Sequence, residues 1–352
     1  ERLKRKLLIA VIALLCISLA ACTNPLVSLR EFFNKKAEVN EMPMEDEKEE
    51  EKTEDLSEVA SKQPEDTIAT VLYYKDYDNL LVPVMRYIPK GDLGVAKAAV
   101  KGIIYSPELM EDLKPTGLLP TLPQGTKING AVIKEDGLAI IDFSQEFLNF
   151  DTKEGEALGV KALVYTLTEF PNINAVKIRV DGKTIDEMPY GTKIGGPLKR
   201  TEINLVKPEN LGDKLSKVMV YYQKKGRGNY SYFVPLTKLV SVYTNSAEAA
   251  LTELLEGPEV DVGLENPFPK GTNLLGVEVS DGIAFVNFSE EILDTGSPAE
   301  ERAILKSIIL TLKEFPAIKK VRIFVNGKTV ENSNTIGSDE YIDVPVFVNF
   351  YE

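Results

Sequence analysis

The sequence predicts an α+β fold made of two tandem copies of a small two-layer sandwich, each with a mostly antiparallel sheet and helices on one face. The first observation is an internal duplication, because five short motifs recur in the same order 145 or 146 residues apart. The second is that each copy reads in order as strand, strand, helix, hairpin, helix and strand. The motifs are Pro-x-Gly-Thr at 123–126 and 269–272, Asp-Gly at 136–137 and 281–282, Phe-Ser at 143–144 and 288–289, Glu-Phe-Pro at 169–171 and 314–316, and Asp-Gly-Lys-Thr or Asn-Gly-Lys-Thr at 181–184 and 326–329.

Two strands begin each copy. β-branched and aromatic residues concentrate at 69–74 and 80–87, and again at 217–222 and 230–236. Pro83 and Pro235 lie in the second segment of each pair. Because proline cannot donate a hydrogen bond to a β ladder, we expect these segments to be edge strands or bulged strands.

A helix and a hairpin come next. The helix, rich in alanine and leucine, is predicted at 95–105 and 246–256, and Ser106-Pro107 or Gly257-Pro258 ends it. The hairpin strands are predicted at 127–135 and 138–143 in the first copy, and at 274–279 and 283–288 in the second. Asp-Gly joins both hairpins and predicts a tight type I′ turn, since both central residues of that turn have positive φ.

The second helix, at 156–169 and 298–314, is amphipathic. Leu163, Leu167 and Phe170 are spaced four and three residues apart, which places them on one buried face. The other face is predicted to be exposed to solvent. It carries Glu156, Lys161 and Glu169 in the first copy and Glu301, Lys306 and Lys313 in the second. A final strand at 175–180 or 320–325 completes each copy.

The amino-terminal segment predicts export and a lipid anchor. A basic start precedes an apolar run at 7–19, which is too short to span a bilayer and is typical of a secretory signal. Leu19-Ala20-Ala21-Cys22 resembles a lipobox, so we expect cleavage between Ala21 and Cys22 and attachment of palmitate-type acyl chains to Cys22. The alternative is an ordinary signal peptide cut near Ala21, with Cys22 incidental. The predicted organisation is a signal peptide at 1–21, a lipidated tether at 22–66, and domains at 67–200 and 201–352.

The net charge of −13 lies mostly in the tether. Residues 38–66 carry thirteen acidic side chains against three lysines, a net −10. Such a segment cannot bury enough apolar surface to offset its ordering entropy, and we expect it to be extended and disordered. The remainder carries no basic stripe, so nucleic acid is excluded as a predicted partner.

The cysteine and histidine contents limit the chemistry. Cys16 would leave with the signal peptide and Cys22 would be acylated, so no disulfide is available and each copy is expected to be held by its own apolar core. Histidine is absent, which excludes Ser-His-Asp and Cys-His catalysis and imidazole metal sites. We therefore expect no catalytic residue, no cofactor and no metal.

Four groups of residues are candidate sites, and each also has a structural interpretation. Ser144 and Ser289 follow a strand, where a serine commonly satisfies backbone donors. Asp142, near Asp136 and Glu146, could form a catalytic carboxylate pair, but its counterpart Asn287 cannot titrate. A turn role tolerates both residue types. The spacing of the glycines at 191–197 does not match a phosphate loop, so we expect a linker there. The basic segment 224–228 is expected to be a solvated hairpin turn and not a ligand clamp. That tip is nonetheless the best exposed cluster for contacting an acidic surface.

The lipobox, the acidic tether and the paired motifs, together with Leu-x-Gly-Pro at 255–258 or its variant, resemble the GerM domain family of sporulation lipoproteins. The resemblance covers nearly everything after Asp66. It implies attachment to the extracytoplasmic face of the cell membrane, in the space between mother cell and forespore, and partners among the exported proteins of the channel-like complex there.

The function expected is therefore non-enzymatic assembly, by docking onto other exported sporulation proteins or onto copies of itself. Edge strands around Pro83 and Pro235, and the wet faces of the long helices, are the surfaces to test. The alternative is a surface lipoprotein that binds or modifies peptidoglycan.

Overall fold

The computed structural model describes residues 64–89, 94–206, 215–228, 230–241, 246–258, 262–330 and 335–351. Ala21, Cys22 and the tether up to residue 63 lie outside these ranges, so the anchor and the tether stay predictions. Within the described ranges, no helix combines the length and the apolar character that crossing a bilayer requires.

Each repeat begins with an antiparallel ladder of two long strands. β1 (Thr67–Lys75) pairs with β2 (Leu81–Pro89) in repeat 1. β7 (Leu215–Lys225) pairs with β8 (Ser231–Ser241) in repeat 2. The short strand β9 (Leu264–Glu265) extends the second ladder beside β7. The strands are longer than predicted, because the pattern of β-branched residues marks only their centres.

The first helix of the two repeats differs. In repeat 2 it is α4 (Ser246–Glu256), as predicted. In repeat 1 the predicted helix stops early as α1 (Val95–Lys101), and a separate helix α2 (Pro107–Leu113) follows. Ser106 Oγ accepts a hydrogen bond from the Leu109 N–H and begins α2, with proline at its first position. Ser106-Pro107 was predicted only as the end of the first helix, and the cap explains why a second helix begins there.

A second sheet contains the hairpin and the last strand. β3 (Ile128–Ile133), β4 (Leu138–Phe143) and β5 (Ala175–Val180) form it in repeat 1, and β10 (Leu274–Ser280), β11 (Ile283–Phe288) and β12 (Lys320–Val325) in repeat 2. The hairpins are antiparallel, whereas β4–β5 and β11–β12 are parallel. A helix makes each crossover, α3 (Lys153–Thr168) or α5 (Pro298–Lys313). The α+β class with predominantly antiparallel strands is confirmed.

The two hairpin turns are not alike. Asp281 and Gly282 both have positive φ, 52° and 81°, as the type I′ prediction requires. In repeat 1 only Gly137 does, with φ of 84°, and its N–H donates to the Lys134 carbonyl. The prediction of a two-residue type I′ turn is therefore wrong for repeat 1, where a wider turn ends in a left-handed glycine.

The repeats exchange their last segments. β6 (Leu205–Val206), at the end of repeat 1, pairs in parallel with β8 of repeat 2. Phe350, at the end of repeat 2, bridges in parallel to Met85 on β2 of repeat 1. Pro235 therefore lies in an internal strand that pairs with β7 without a bulge, contrary to its prediction as an edge strand or a bulged strand. The ladder tolerates it because β6 pairs only at Thr237 and Lys238.

The core extends through both repeats. All described residues belong to one compact unit, and one contiguous cluster of buried hydrophobic side chains joins the two copies. Separate cores were predicted. They merge because β2 and β8 lie against each other. The short strand β13 (Ile342–Asp343) pairs antiparallel with β12.

Candidate functional site

Asp142 holds a turn in repeat 1. Its Oδ1 accepts a hydrogen bond from the Gly182 N–H at 2.8 Å. In repeat 2, Asn287 Oδ1 accepts from the Gly327 N–H, also at 2.8 Å. A neutral amide and a carboxylate thus do the same structural task, which needs an acceptor oxygen but no titration.

Ser144 and Ser289 also serve the backbone. Ser144 Oγ accepts from the Lys127 N–H at 3.0 Å, and Ser289 Oγ accepts from the Asn273 N–H at 2.9 Å. A hydrogen bond from Ser144 lowers the pKa of the Glu146 carboxyl. The pairing ties the start of the hairpin to its end, and neither serine caps the following 3₁₀ turn with its side chain.

Glu156 was predicted on the wet face of its helix, and this is wrong. The side chain is fully buried and accepts hydrogen bonds from the Tyr190 N–H at 2.8 Å and the Thr192 N–H at 2.9 Å. Its counterpart Glu301 is half-buried and accepts from the N–H of Ile336 at 3.3 Å. Helical periodicity could not reveal this, because the donors belong to a segment about 35 residues away in sequence.

The glycine-rich segment 191–197 is part of repeat 1 and not a free linker. Ile194 is fully buried, and its N–H donates to the Asp186 carbonyl at 3.0 Å. Leu198 then forms an antiparallel bridge to Val176 on β5. The segment therefore completes the sheet of the first repeat.

Lys224 of the basic hairpin tip is buried between the repeats, contrary to the prediction of a solvated turn, whereas Lys225 and Arg227 are exposed. Lys224 is 6% exposed, and its Nζ lies 2.6 Å from Asp76 Oδ2 and 2.5 Å from Asp78 Oδ2. The Arg227 guanidinium lies 3.7 Å from the ring centroid of Tyr77. Both contacts bind repeat 2 to the first hairpin of repeat 1, so Lys224 is not available to an outside partner.

Two asparagines join the second strands of the repeats. Asn204 Nδ2 donates to the Leu81 and Pro235 carbonyls at 2.9 and 2.8 Å, and its Oδ1 accepts from the Leu81 N–H at 2.9 Å. Asn349 Nδ2 donates to the Pro83 and Phe233 carbonyls at 2.8 Å each, and its Oδ1 accepts from the Phe233 N–H at 2.7 Å. The two sets are equivalent under exchange of the repeats, which gives the unit a pseudo-twofold arrangement.

The first strand of each repeat is covered as well. The Tyr73 N–H donates to Thr166 Oγ1 on α3, and the Tyr221 N–H donates to Thr311 Oγ1 on α5, both at 3.2 Å. Both threonines are fully buried. With the asparagines on the other side, the predicted docking edges around Pro83 and Pro235 are occupied by the chain itself.

The sequence contained a signal for this arrangement that was missed. Ile203-Asn204-Leu205 and Val348-Asn349-Phe350 have the same apolar-Asn-apolar pattern at the common spacing of 145 residues. Thr166 and Thr311 share that spacing. Recurrence of a polar residue at the repeat spacing, outside the turn motifs, could have identified both contacts.

The outer face of the second sheet of repeat 1 is partly exposed. In repeat 1, Val132, Ile140 and Lys177 form one row across the strands, and Val132 is 59% exposed. The next row holds Asp142 and Arg179. No helix of the described residues packs on this face. Among the described residues, no group of carboxylate or thiol side chains is arranged to hold a metal ion.

Known proteins resemble both repeats. A family model described as Germane, sporulation and spore germination, matches residues 71–186 and 219–331. Spore germination protein GerM of Bacillus subtilis (strain 168) is 33% identical over 275 residues, which span 76% of this chain and 74% of that protein. A solved structure of the tandem GerMN domains of the sporulation protein GerM from Bacillus subtilis has a TM-score of 0.67 and 30% identity, and covers 81% of this chain and 100% of that one.

Proposed function

This chain belongs to the Germane family, and on that premise we propose that it is a lipid-anchored exported protein of sporulating bacteria that acts by binding other proteins. Its relatives support a role in sporulation and germination. The proposed partners are other exported proteins of the channel-like complex between mother cell and forespore, at the extracytoplasmic face of the cell membrane. A non-enzymatic assembly role fits a folded unit of two repeats that follows a long acidic segment in the sequence.

The observation that carries the proposal is the equivalence of Asp142 and Asn287. Both side chains accept one hydrogen bond from a turn glycine at the same distance. A general acid or base must change its protonation state, and an asparagine cannot. In both repeats this side chain therefore serves as a hydrogen-bond acceptor for a backbone N–H. The serine that follows each strand does the same.

Substitution of the candidate catalytic carboxylates provides the first test. Asp142→Asn copies repeat 2, and Glu146→Gln removes a second carboxylate of the candidate pair with little change in shape. We expect sporulation to proceed at the level of the unmodified protein in both variants, measured as heat-resistant spores. Turnover of peptidoglycan fragments by the purified protein, lost in Asp142→Asn, would contradict the proposal and support the peptidoglycan alternative.

Crosslinking followed by mass spectrometry in sporulating cells provides the second test. We expect the chain to be crosslinked to exported proteins of the intermembrane space. Recovery of wall polymer alone, with no protein partner, would contradict an assembly role.

The lipid anchor is tested separately. Cys22→Ala is expected to leave a precursor or to release the protein from the membrane, and to abolish labelling with palmitate, because one or more acyl chains at Cys22 hold the chain at the bilayer. The folding of the described unit should not change, since Cys22 precedes it. Normal cleavage with retained membrane attachment would contradict lipidation.

A further inference from the structure

Repeat 2 covers the outer face of its own sheet with an acidic segment. Arg322 lies on β12 beside Phe285, and its Nη2 forms an ion pair with Asp339. Its Nη1 donates to the Tyr341 hydroxyl at 3.1 Å, and the guanidinium lies 5.0 Å from the centroid of the Tyr341 ring. A carboxylate and an aromatic side chain from 339–341 therefore bind this arginine together.

Repeat 1 lacks that segment. The antiparallel bridge Val176–Leu198 in repeat 1 is equivalent to the pair Val321–Ile342 in repeat 2. These two pairs align the repeats at this point. In this alignment Gly195-Gly196-Pro197 stands where repeat 2 has Asp339-Glu340-Tyr341. Glycine has no side chain to reach across the sheet, so the face of repeat 1 is left without the carboxylate and the aromatic ring.

Lys177 and Arg179, the two cations on this face of repeat 1, form no ion pair with any residue of the described ranges. Lys177 stands at the position of Arg322, and Arg179 lies two residues further along β5. Neither forms an ion pair with Asp142, which shares the face and whose Oδ1 binds the Gly182 N–H. The Nε of Arg179 is buried with no hydrogen-bond partner, as is the Nε of Arg322, but Arg322 has its ion pair with Asp339 and Arg179 has none. A guanidinium donor of this kind is costly to leave unsatisfied.

An apolar platform adjoins the two cations. Ile140 lies between Lys177 and Val132 in the same row, and Val132 is more than half exposed. In repeat 2 the corresponding row is Glu278, Phe285 and Arg322. Repeat 1 thus presents unpaired positive charge beside exposed aliphatic surface, a combination that suits an acidic segment carrying an aromatic residue.

We propose that the outer sheet face of repeat 1, around Lys177, Arg179 and Val132, binds an acidic extended segment of a partner protein, with carboxylates next to an aromatic side chain. Segment 339–341 of repeat 2 is the internal template for that ligand. The inference rests on the proposed function, because it assigns one surface to the docking that the function requires. The partner is identified by this chemistry alone.

A labelled peptide with the sequence of residues 338–343, Ser-Asp-Glu-Tyr-Ile-Asp, is the probe. Its binding to the mature full chain is measured by fluorescence anisotropy. We expect saturable binding that weakens by about tenfold in Lys177→Glu and also in Arg179→Gln, since each loses a charge-assisted contact. Lys153→Glu, an exposed charge reversal on the helical side of the same repeat, should bind as the unmodified chain does.

The probe itself supplies a second control. The amide peptide Ser-Asn-Gln-Tyr-Ile-Asn should bind about tenfold more weakly, because the carboxylates are gone. Circular dichroism and thermal melting of Lys177→Glu verify folding, and Arg179→Gln keeps the site testable if that variant is unstable. Equal binding of the two peptides, or binding unchanged in Lys177→Glu and Arg179→Gln, would overturn the inference.

Three further outcomes distinguish the possible occupants of the face and separate this inference from the proposed function. A dimer in solution that Lys177→Glu dissociates would show that a second copy occupies the face, and would overturn a foreign partner. If the peptide fails to bind while crosslinks to exported proteins persist in cells, this inference fails and the proposed function stands. If the unmodified chain crosslinks to no protein, the proposed function fails whatever the peptide does.

Discussion

The two long helices, α3 and α5, occupy equivalent places in the repeats but are tied to the rest of the chain differently. In repeat 1, Lys161 Nζ donates to the Glu202 carbonyl at 2.6 Å and Tyr165 OH donates to the Thr201 carbonyl at 2.5 Å. In repeat 2 the corresponding helix positions are Lys306 and Leu310. Within the described ranges, neither side chain donates a hydrogen bond to a backbone carbonyl of the last segment of that repeat. The Lys306 Nζ lies 4.8 Å from the centroid of the Phe233 ring.

The contacts that the repeats keep are those that satisfy buried backbone groups. The asparagines and the threonines that cover the strand edges recur with nearly identical distances. A buried backbone donor left without a partner costs about 1–3 kcal/mol, whereas an exposed ion pair contributes about 0–1 kcal/mol. The difference between the repeats therefore teaches which contacts the fold requires and which can change with the surface.

Removal of Asn349 is expected to have the largest effect. The side chain is 3% exposed and serves three backbone groups on both repeats. Asn349→Ala should lower the free energy of unfolding by about 3 kcal/mol, because those groups stay buried without partners. Asn172→Ala, at an exposed position, should change it by less than about 0.5 kcal/mol.

Hydrogen exchange read by mass spectrometry tests whether the repeats unfold together in Asn349→Ala. Peptides from β1 and β2 and from β7 and β8 should lose protection in parallel, since the asparagine joins both ladders. Loss of protection confined to repeat 2 would contradict the interpretation that the asparagines make one cooperative unit.

Lys224 tests the ion pair between the repeats. Lys224→Met keeps the aliphatic stem but leaves the nearly buried Asp76 carboxylate without its cation, and we expect a loss of about 2 kcal/mol in the free energy of unfolding. Asp78 is half-exposed, so water relieves part of the cost. The neighbour Lys225 is exposed, and Lys225→Met should be nearly neutral in the same urea titration. Equal effects of the two substitutions would rule out a stabilising role for the buried pair.

Lys306 should show the smallest effect and the opposite sign. Burial lowers the pKa of the Lys306 amine to about 8, so the folded state disfavours its charged form. Lys306→Met is expected to raise the free energy of unfolding at pH 7 by about 1 kcal/mol, after allowance for partial exposure. Lys161→Met should instead be destabilising, since it removes the bond to Glu202.

The pH dependence of the Lys306 effect has a definite sign. Below about pH 8 the amine is protonated in both states, and the penalty on the folded state is complete. As pH rises from 8 toward 10.5, the folded protein loses this proton before the unfolded chain does, so the penalty fades. The advantage of Lys306→Met over the unmodified chain should shrink across that window in urea titrations. An advantage that stays constant with pH would show that the charge is not its cause.

The helices and strands are more predictable from the sequence than the contacts of the candidate site residues. The strands at 138–143, 175–180, 283–288 and 320–325 were predicted to the residue, because period-two burial and the turns that bound them are local properties. Glu156 was missed because its partners come from a distant segment, and Lys224 because its carboxylates lie in the other repeat. In both cases a charged residue on a regular element was predicted to face water.

The amino-acid sequence alone determined the duplication, the α+β class, the order of elements and the absence of histidine chemistry, since each depends on short-range pattern or composition. Only the tertiary structure decided that the repeats share one core, that their last segments cross over, and that the face around Lys177 is the one left uncovered. The reason is physical: burial and ion pairing depend on which surfaces meet in space, and two copies of the same pattern can meet through surfaces that neither copy marks in its own sequence.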